Sequence, residues 1–292
     1  MPRLALLAGL LLLVPGLARA DAYDFRLYKL GSPTLDPSAN ARFSAFANEL
    51  GMAIVNWNLE PPETTGFSGF DFALEYPVSL INDKGLINGK RYWALETDDA
   101  AGNLQLPGVH VRKGLPFSFE AGAKVNYISR SSMAVATVEA KWALNEGFLY
   151  FPDLGVRGFG TQLLGSRDFT LTVAGFDIGL GKQLPINGMF TLTPYAGWSS
   201  VWVAASSNVI DFKPQQSERD QFTASNSASG TATTDVFESV EISKNRHNRY
   251  YGGIRFISYV VEIGLEASYG FVTTEHHDYM VATYSAKLGL DF

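Results

Sequence analysis

The sequence contains four histidines, which are the side chains best suited to acid–base chemistry or metal binding near neutral pH. Three of them, His247, His276 and His277, fall near the ends of strand-like segments, and Glu275 and Asp278 flank the adjacent pair. Imidazole and carboxylate groups that converge could bind a divalent ion or act as a general base. A histidine pair in a loop is more often simply exposed, so these residues are weak metal or catalytic candidates.

The fourth histidine, His110, stands alone in a short strand-like segment, and we predict a structural role for it. Residues 66–69 fall one residue short of a nucleophile elbow, and residues 85–90 lack the spacing of a P-loop. The absence of cysteine excludes disulfides, thiolate metal sites and cysteine nucleophiles. We therefore expect no catalytic residues, no cofactor and no resident metal.

The chain is 292 residues long, with 46% hydrophobic and 13% aromatic residues, which predicts a folded protein. A net charge of −6 disfavours a nucleic-acid partner. Residues 1–20 read as a signal peptide, with Arg3, an apolar run from Leu4 to Val14, and Ala18-Arg19-Ala20 before a cleavage site at Asp21. We thus predict an exported protein.

Apolar and polar residues alternate in segment after segment of the exported chain, which is the period of a strand with two unlike faces. Charges fall on one face of each segment, as expected for a transmembrane barrel that is apolar toward lipid and polar toward its lumen. Mixed charge signs favour ion pairs across a narrow interior over a selectivity filter. The predicted lumen-facing residues are Asp71, Glu75, Glu120, Lys124, Glu139, Lys141, Arg157, Asp177, Arg255, Glu262, Glu266 and Lys287.

The chain ends with apolar residues at every second position, namely Tyr284, Ala286, Leu288, Leu290 and the terminal Phe292. Together with the signal peptide and the charged inner face, this ending resembles that of outer-membrane β-barrel proteins of Gram-negative bacteria, over roughly residues 67–292. The resemblance implies an assembly signal that is recognised by the barrel-insertion machinery. It also implies a setting of outer-membrane lipid and lipopolysaccharide.

We predict an all-β fold, an antiparallel transmembrane β-barrel of about ten strands, with eight or twelve as alternatives. Leu104–Arg112 is taken as the tenth strand, because the strand directions require one before a periplasmic turn at 113–116. Segments 154–165 and 168–182 alternate poorly, and bulges near Gly158, Gly160 and Gly175 would explain this. The other segments are 67–81, 115–130, 132–144, 189–205, 247–257, 259–273 and 280–292.

The N-terminal segment 21–66 carries an amphipathic helix, with Asp36-Pro37 at its start and a stripe that includes Phe43, Phe46 and Leu50. The helix could lie in the periplasm, plug the lumen or cap the floor of the barrel, and the sequence favours the floor. Loops 82–103 and 208–246 are placed outside the cell.

The leading functional prediction is a non-enzymatic outer-membrane barrel, either a narrow pore or a structural or surface-binding protein. The alternative is a lipid- or peptide-modifying barrel enzyme that uses His247, His276 and His277, which we call the rim histidines. A conduit for hydrophobic molecules would need an apolar lumen or a lateral gap, and the charged inward face argues against it. The ligand of the outer loops is not predicted.

Overall fold

The computed structural model describes residues 22–55, 57–97, 101–148, 150–186, 189–212, 234–274 and 277–292. Ten long antiparallel strands each pair with the next, and the last pairs with the first from Asp71↔Asp291 to Ser79↔Thr283. The predicted ten-strand barrel is therefore confirmed. The strands are β1 (Phe70–Leu80), β2 (Gly108–Leu115), β3 (Phe119–Tyr127), β4 (Ala134–Asn145), β5 (Asp153–Leu164), β6 (Phe169–Gly181), β7 (Phe190–Ser207), β8 (Arg246–Ser258), β9 (Val261–Thr274) and β10 (His277–Asp291).

The tenth strand exists, but its predicted bounds are shifted. Pro107 has no N–H to donate to a ladder, and it separates β2 from Asn103–Gln105, which pairs with the outer end of β1. The turn after β2 lies at 116–118 rather than 113–116, and Phe117 and Ser118 adopt φ of 63° and 57° there. Left-handed backbone at two successive residues closes this tight connection.

The outer and inner faces of the barrel differ in chemistry as a membrane requires. On β1, Phe72, Leu74 and Tyr76 are exposed, whereas Asp71 and Glu75 are buried. Paired aromatic rings, including Phe119 with Trp142 and Phe190 with Phe256, lie toward one end of the barrel, as expected for an interfacial girdle. Among the described residues, no helix is long and apolar enough to cross a membrane.

One end of the barrel carries short turns, such as 116–118 and 259–260, and the other carries the long connections 81–107 and 208–245. Outer-membrane barrels have short periplasmic turns and longer extracellular loops, so we call these the inner and outer ends. The C-terminal Phe292 lies at the inner end, where it pairs with Phe70 at the start of β1.

The apolar residues of β6 face inward in the outer part of the strand and outward in its inner part, and this change, rather than a bulge, makes the alternation poor. In its outer part Leu171 and Val173 point inward, whereas in its inner part Phe176 and Ile178 point outward and Asp177 points inward. The register of β5 with β6 runs without a shift from Asp153↔Gly181 to Gln162↔Thr172. The predicted bulges near Gly158, Gly160 and Gly175 are therefore absent from this pairing.

The helix α1 (Ser38–Ile54) follows a 3-10 turn at Leu27–Leu30. It lies within the outer half of the lumen, where Gly51 faces Val173 and Val203, and not on the floor as the sequence favoured. An amphipathic helix docks where it can bury its apolar stripe. The outer parts of β6 and β7 provide an apolar lining, so α1 lies there.

Candidate functional site

The candidate site is the lumen itself, which is filled by α1 and by residues 57–65; we call these together the plug. The outer half of the lumen holds α1 against an apolar lining from β6 and β7, with polar side chains such as His247 and Ser79 beside it. The inner half is lined by charged side chains and holds the extended residues 57–65. The plug contacts the barrel wall through different chemistry at each level.

Polar anchors fix α1 at the outer level. The Oδ1 of Asn48 accepts a hydrogen bond from His247 Nε2 at 2.7 Å, and Ser79 Oγ donates to the carbonyl of Ala53 at 2.7 Å. Glu49 accepts from the backbone N–H of Asn82 at 2.7 Å and from the hydroxyl of Tyr92.

Below α1, the barrel wall binds the backbone of the plug directly. The carbonyl of Trp57 accepts from Lys124 Nζ at 2.8 Å and from Arg157 at 3.3 Å. The N–H groups of Asn58 and Leu59 donate to the carboxylate of Glu266, with the Leu59 bond at 2.8 Å. Extended backbone polar groups that water cannot reach are thus paired with charged side chains.

Glu60 is the centre of the inner level. Its carboxylate contacts Arg112 Nη1 at 2.6 Å, Arg255 Nη1 at 3.2 Å and the ammonium of Lys287. Lys287 Nζ also lies 2.7 Å from Asp71 and 2.9 Å from Glu262. The carboxylates of Glu60, Asp71 and Glu262 lie within 4.8 Å of one another, a spacing that suits a metal ion, but the charge between them is that of a lysine.

The remaining wall charges form a continuous network around the plug. His110 lies between two carboxylates, with Nδ1 2.6 Å from Glu75 and Nε2 3.0 Å from Glu139. Arg157 bridges Glu139 at 2.9 Å and Asp177 at 2.6 Å. Each predicted lumen-facing residue lies in the interior, and none is more than 8% exposed. Two further pairs are Lys124–Glu75 at 3.1 Å and Lys141–Glu120 at 2.9 Å.

At the inner end, the plug meets the turns that close the barrel. Glu63 pairs with Arg255, and its carboxylate accepts from Gln183. The N–H of Thr64 donates to Glu146 at 2.9 Å, and that of Thr65 donates to Glu120 at 3.0 Å. The plug therefore contacts the wall from the outer mouth to the floor.

Of the three histidines predicted at the rim, the structure describes the side chain of His247 alone. His247 is buried and its Nε2 is bonded to the plug, so it serves as an anchor. His276 lies outside the described residues, and His277 is described only as the backbone start of β10.

Residues 22–36 form an outer cap above α1. The N–H of Tyr23 donates to the carbonyl of Arg130 at 3.1 Å, and that of Leu27 donates to Asp168 at 2.9 Å. Ser32 and Thr34 donate to the carboxylate of Asp235. Although burial opposes it, these hydrogen bonds lower the pKa of Asp235 to about 2.

A polar cleft of about 1140 Å³ opens beside the cap at the outer mouth. One wall is the start of α1, and the others are residues 86–88, residues 238–241 and 244–245 of an outer loop, and the end of β9. Hydroxyl and amide side chains, such as Ser44 and Asn245, line it together with charged and apolar ones. Its lining residues all lie at the outer end of the barrel.

Glu60 and Arg112 are central to the network but are not among the residues predicted from the sequence. Arg112 lies two residues from His110 in β2, so the alternation that places His110 inward also places Arg112 there. Glu60 has no such signal, because it lies in an extended segment without periodicity before Pro61-Pro62.

Together these observations define an outer-membrane-type β-barrel of ten strands with an internal plug made by its own N-terminal segment. No family model and no curated protein matches the sequence.

Solved structures do match the chain at low identity. The attachment invasion locus protein Ail of Yersinia pestis is 14% identical, with 77% of this chain and 99% of that one covered and a TM-score of 0.29. LpxR of Salmonella typhimurium is 8% identical, with coverages of 76% and 99% and a TM-score of 0.37. The transport unit of the autotransporter AIDA-I of Escherichia coli is 11% identical, with coverages of 92% and 100% and a TM-score of 0.31. At these TM-scores the likenesses add nothing to the fold that the strand pairing establishes.

Proposed function

We propose that this protein is a non-conducting outer-membrane β-barrel that holds a structured surface, the outer cap and its cleft, on the outside of the cell. The observation that carries the proposal is the unbroken series of plug contacts from His247–Asn48 at the outer mouth to Glu120–Thr65 at the floor. The choice between a narrow pore and a structural or surface-binding barrel thus falls on the second.

The placement in the outer membrane is supported by the outer face of the barrel. Large apolar side chains such as Leu74, Ile263 and Leu288 are about half exposed on it, and this surface is unfavourable in water. A closed barrel satisfies its backbone groups internally, which a lipid environment requires. A hydrophobic conduit is disfavoured for a different reason, which is that the inner half of the lumen is lined by charged side chains.

Single-channel conductance in a planar bilayer tests the proposal. The purified chain that begins at Asp21 should give no discrete steps, whereas deletion of residues 21–62 should give steps. Steps of equal size from both proteins would refute the proposal, because the plug would then not occlude the lumen. A heat-modifiability gel on each protein verifies that the barrel has formed.

A matched pair of variants separates loss of the plug contacts from loss of charge. Glu60→Gln with Glu63→Gln removes two buried plug carboxylates, and we expect brief openings because the paired bases lose their partners. Glu238→Gln with Glu241→Gln removes the same charge from the exposed outer loop and should leave the barrel silent. Openings in the control alone would contradict the proposal.

The enzyme alternative depends on the rim histidines. With His247 engaged by Asn48, we expect alanine at His247, His276 and His277 together to change no hydrolytic activity on lipid or peptide substrates in isolated outer membranes. Loss of such an activity would favour the enzyme.

A further inference from the structure

The direction in which the plug runs through the barrel has a topological consequence. Residues 22–36 lie among the outer connections, α1 lies in the outer half of the lumen, and residues 57–65 lie in the inner half. The chain then reaches the floor and enters β1 at Phe70 from the inner end. The N-terminal segment thus runs through the whole lumen from outside to inside.

Contacts at the outer end fix the position of the cap independently of α1. Tyr23 and Asp24 bond to residues 130–132 of the β3–β4 connection, and Leu27 bonds to Asp168 of the β5–β6 connection. Phe25 forms an antiparallel bridge with Leu95 of the β1–β2 connection. Three different outer connections therefore hold the segment within a few residues of its described start.

We propose that the barrel carries its own N-terminal segment across the outer membrane, so that residues 22–36 are displayed on the cell surface. The orientation of the barrel in this inference rests on the proposed outer-membrane function. A segment that leads into α1 from the outside cannot at the same time remain in the periplasm, because the plug fills the lumen between the two compartments.

Display also requires that residue 22 be freed from any anchor in the inner membrane. A chain held at its N-terminus on the periplasmic side would have to cross the lumen twice, and the lumen is already occupied by the plug. The inference therefore requires cleavage of the predicted signal peptide before the plug takes its place. Foreign sequence placed next to Ala22 should emerge outside the cell.

The absence of cysteine makes single-cysteine labelling a clean test. Leu35→Cys probes the cap at a side chain that is 63% exposed. Leu86→Cys in the β1–β2 connection is the outer control, and Tyr150→Cys in the turn between β4 and β5 is the inner control, both at exposed side chains. Intact cells are treated with a membrane-impermeant maleimide, and permeabilised cells give the total reactive cysteine.

We expect Leu35→Cys to label in intact cells to the same extent as Leu86→Cys and severalfold more than Tyr150→Cys. Reaction of Leu35→Cys only after permeabilisation, as for Tyr150→Cys, would overturn the inference while leaving a correctly oriented barrel. Equal reaction of the two controls in intact cells would overturn the spanning barrel as well. The proposed non-conducting barrel is tested by conductance, which does not depend on the labelling of any of these three variants.

An epitope inserted between Asp21 and Ala22 gives a second reading that does not depend on the cap side chains. Antibody binding to intact cells supports display, and binding only to permeabilised cells refutes it. A heat-modifiable band for the tagged protein verifies that the barrel has formed around its plug.

Discussion

Glu60 illustrates at the level of one residue how the plug is held. Its single carboxylate is shared by Arg112, Arg255 and Lys287, and all four side chains are almost fully buried. Burial of charge is costly unless each charged group is paired. Removal of a carboxylate that three bases share should therefore destabilise the fold more than removal of one that pairs with a single base. The surrounding acids Asp71 and Glu262 balance the remaining positive charge.

We expect Glu60→Gln to lower the free energy of unfolding by about 3 kcal/mol, because it leaves buried bases without a full counter-charge. The measurement is the temperature at which the folded band disappears on a heat-modifiability gel. Glu238→Gln, on an exposed loop residue, should leave that temperature unchanged. Equal stability of the two variants would show that Arg112, Arg255 and Lys287 do not depend on Glu60.

At the scale of elements, the fit of α1 against β6 and β7 depends on Gly51. A methyl group added there would lie 2.8 Å from both methyl carbons of Val203 and 3.4 Å from Val173. We expect Gly51→Ala to destabilise the docked helix by about 1–3 kcal/mol, and the gain of about 1 kcal/mol in helix propensity offsets this only in part.

Val203→Ala removes the atoms that the new methyl group would meet. The double variant Gly51→Ala with Val203→Ala should be more stable than the sum of the single effects predicts, and a double-mutant cycle on unfolding temperatures measures that difference. Additive effects would mean that residues 51 and 203 are not in contact.

The strands could be predicted from the sequence because lipid outside and charge inside mark the two faces of each strand with different chemistry. The exceptions have physical causes. Pro107 divides the expected tenth strand, and the outer part of β6 turns its apolar face inward to receive α1. The twelve predicted inward charges could be read from alternation, but Glu60 could not.

The position of α1 also escaped prediction. An apolar stripe shows that a helix packs against an apolar surface but does not identify that surface. Here the surface comes from β6 and β7, more than a hundred residues away in the sequence. The inward apolar side chains Val173 and Val203 carry the missing information. They can be recognised only when the alternation of each strand is followed along its length and its reversal is noted.

At the scale of the whole molecule, the barrel and the plug contribute to stability in different ways. The barrel closes its hydrogen-bond ladder through β1 and β10 without any part of the plug, so that each of the ten long strands described has a partner on both sides. The plug adds apolar burial by α1 and pairs charges that would otherwise face an empty lumen. Formation of the barrel and resistance to heat should therefore be separable.

The unheated protein in SDS should migrate differently from boiled protein, because the closed barrel resists unfolding by detergent. Deletion of residues 21–62 should preserve this difference but lower the conversion temperature by about 10 °C or more, since each kcal/mol lost lowers the midpoint by about 2–4 °C at this size. A gel series over temperature measures both effects. Identical mobility of unheated and boiled wild-type protein would refute the closed barrel, and an unchanged conversion temperature after deletion would mean that the plug, although inside the lumen, does not stabilise the wall around it.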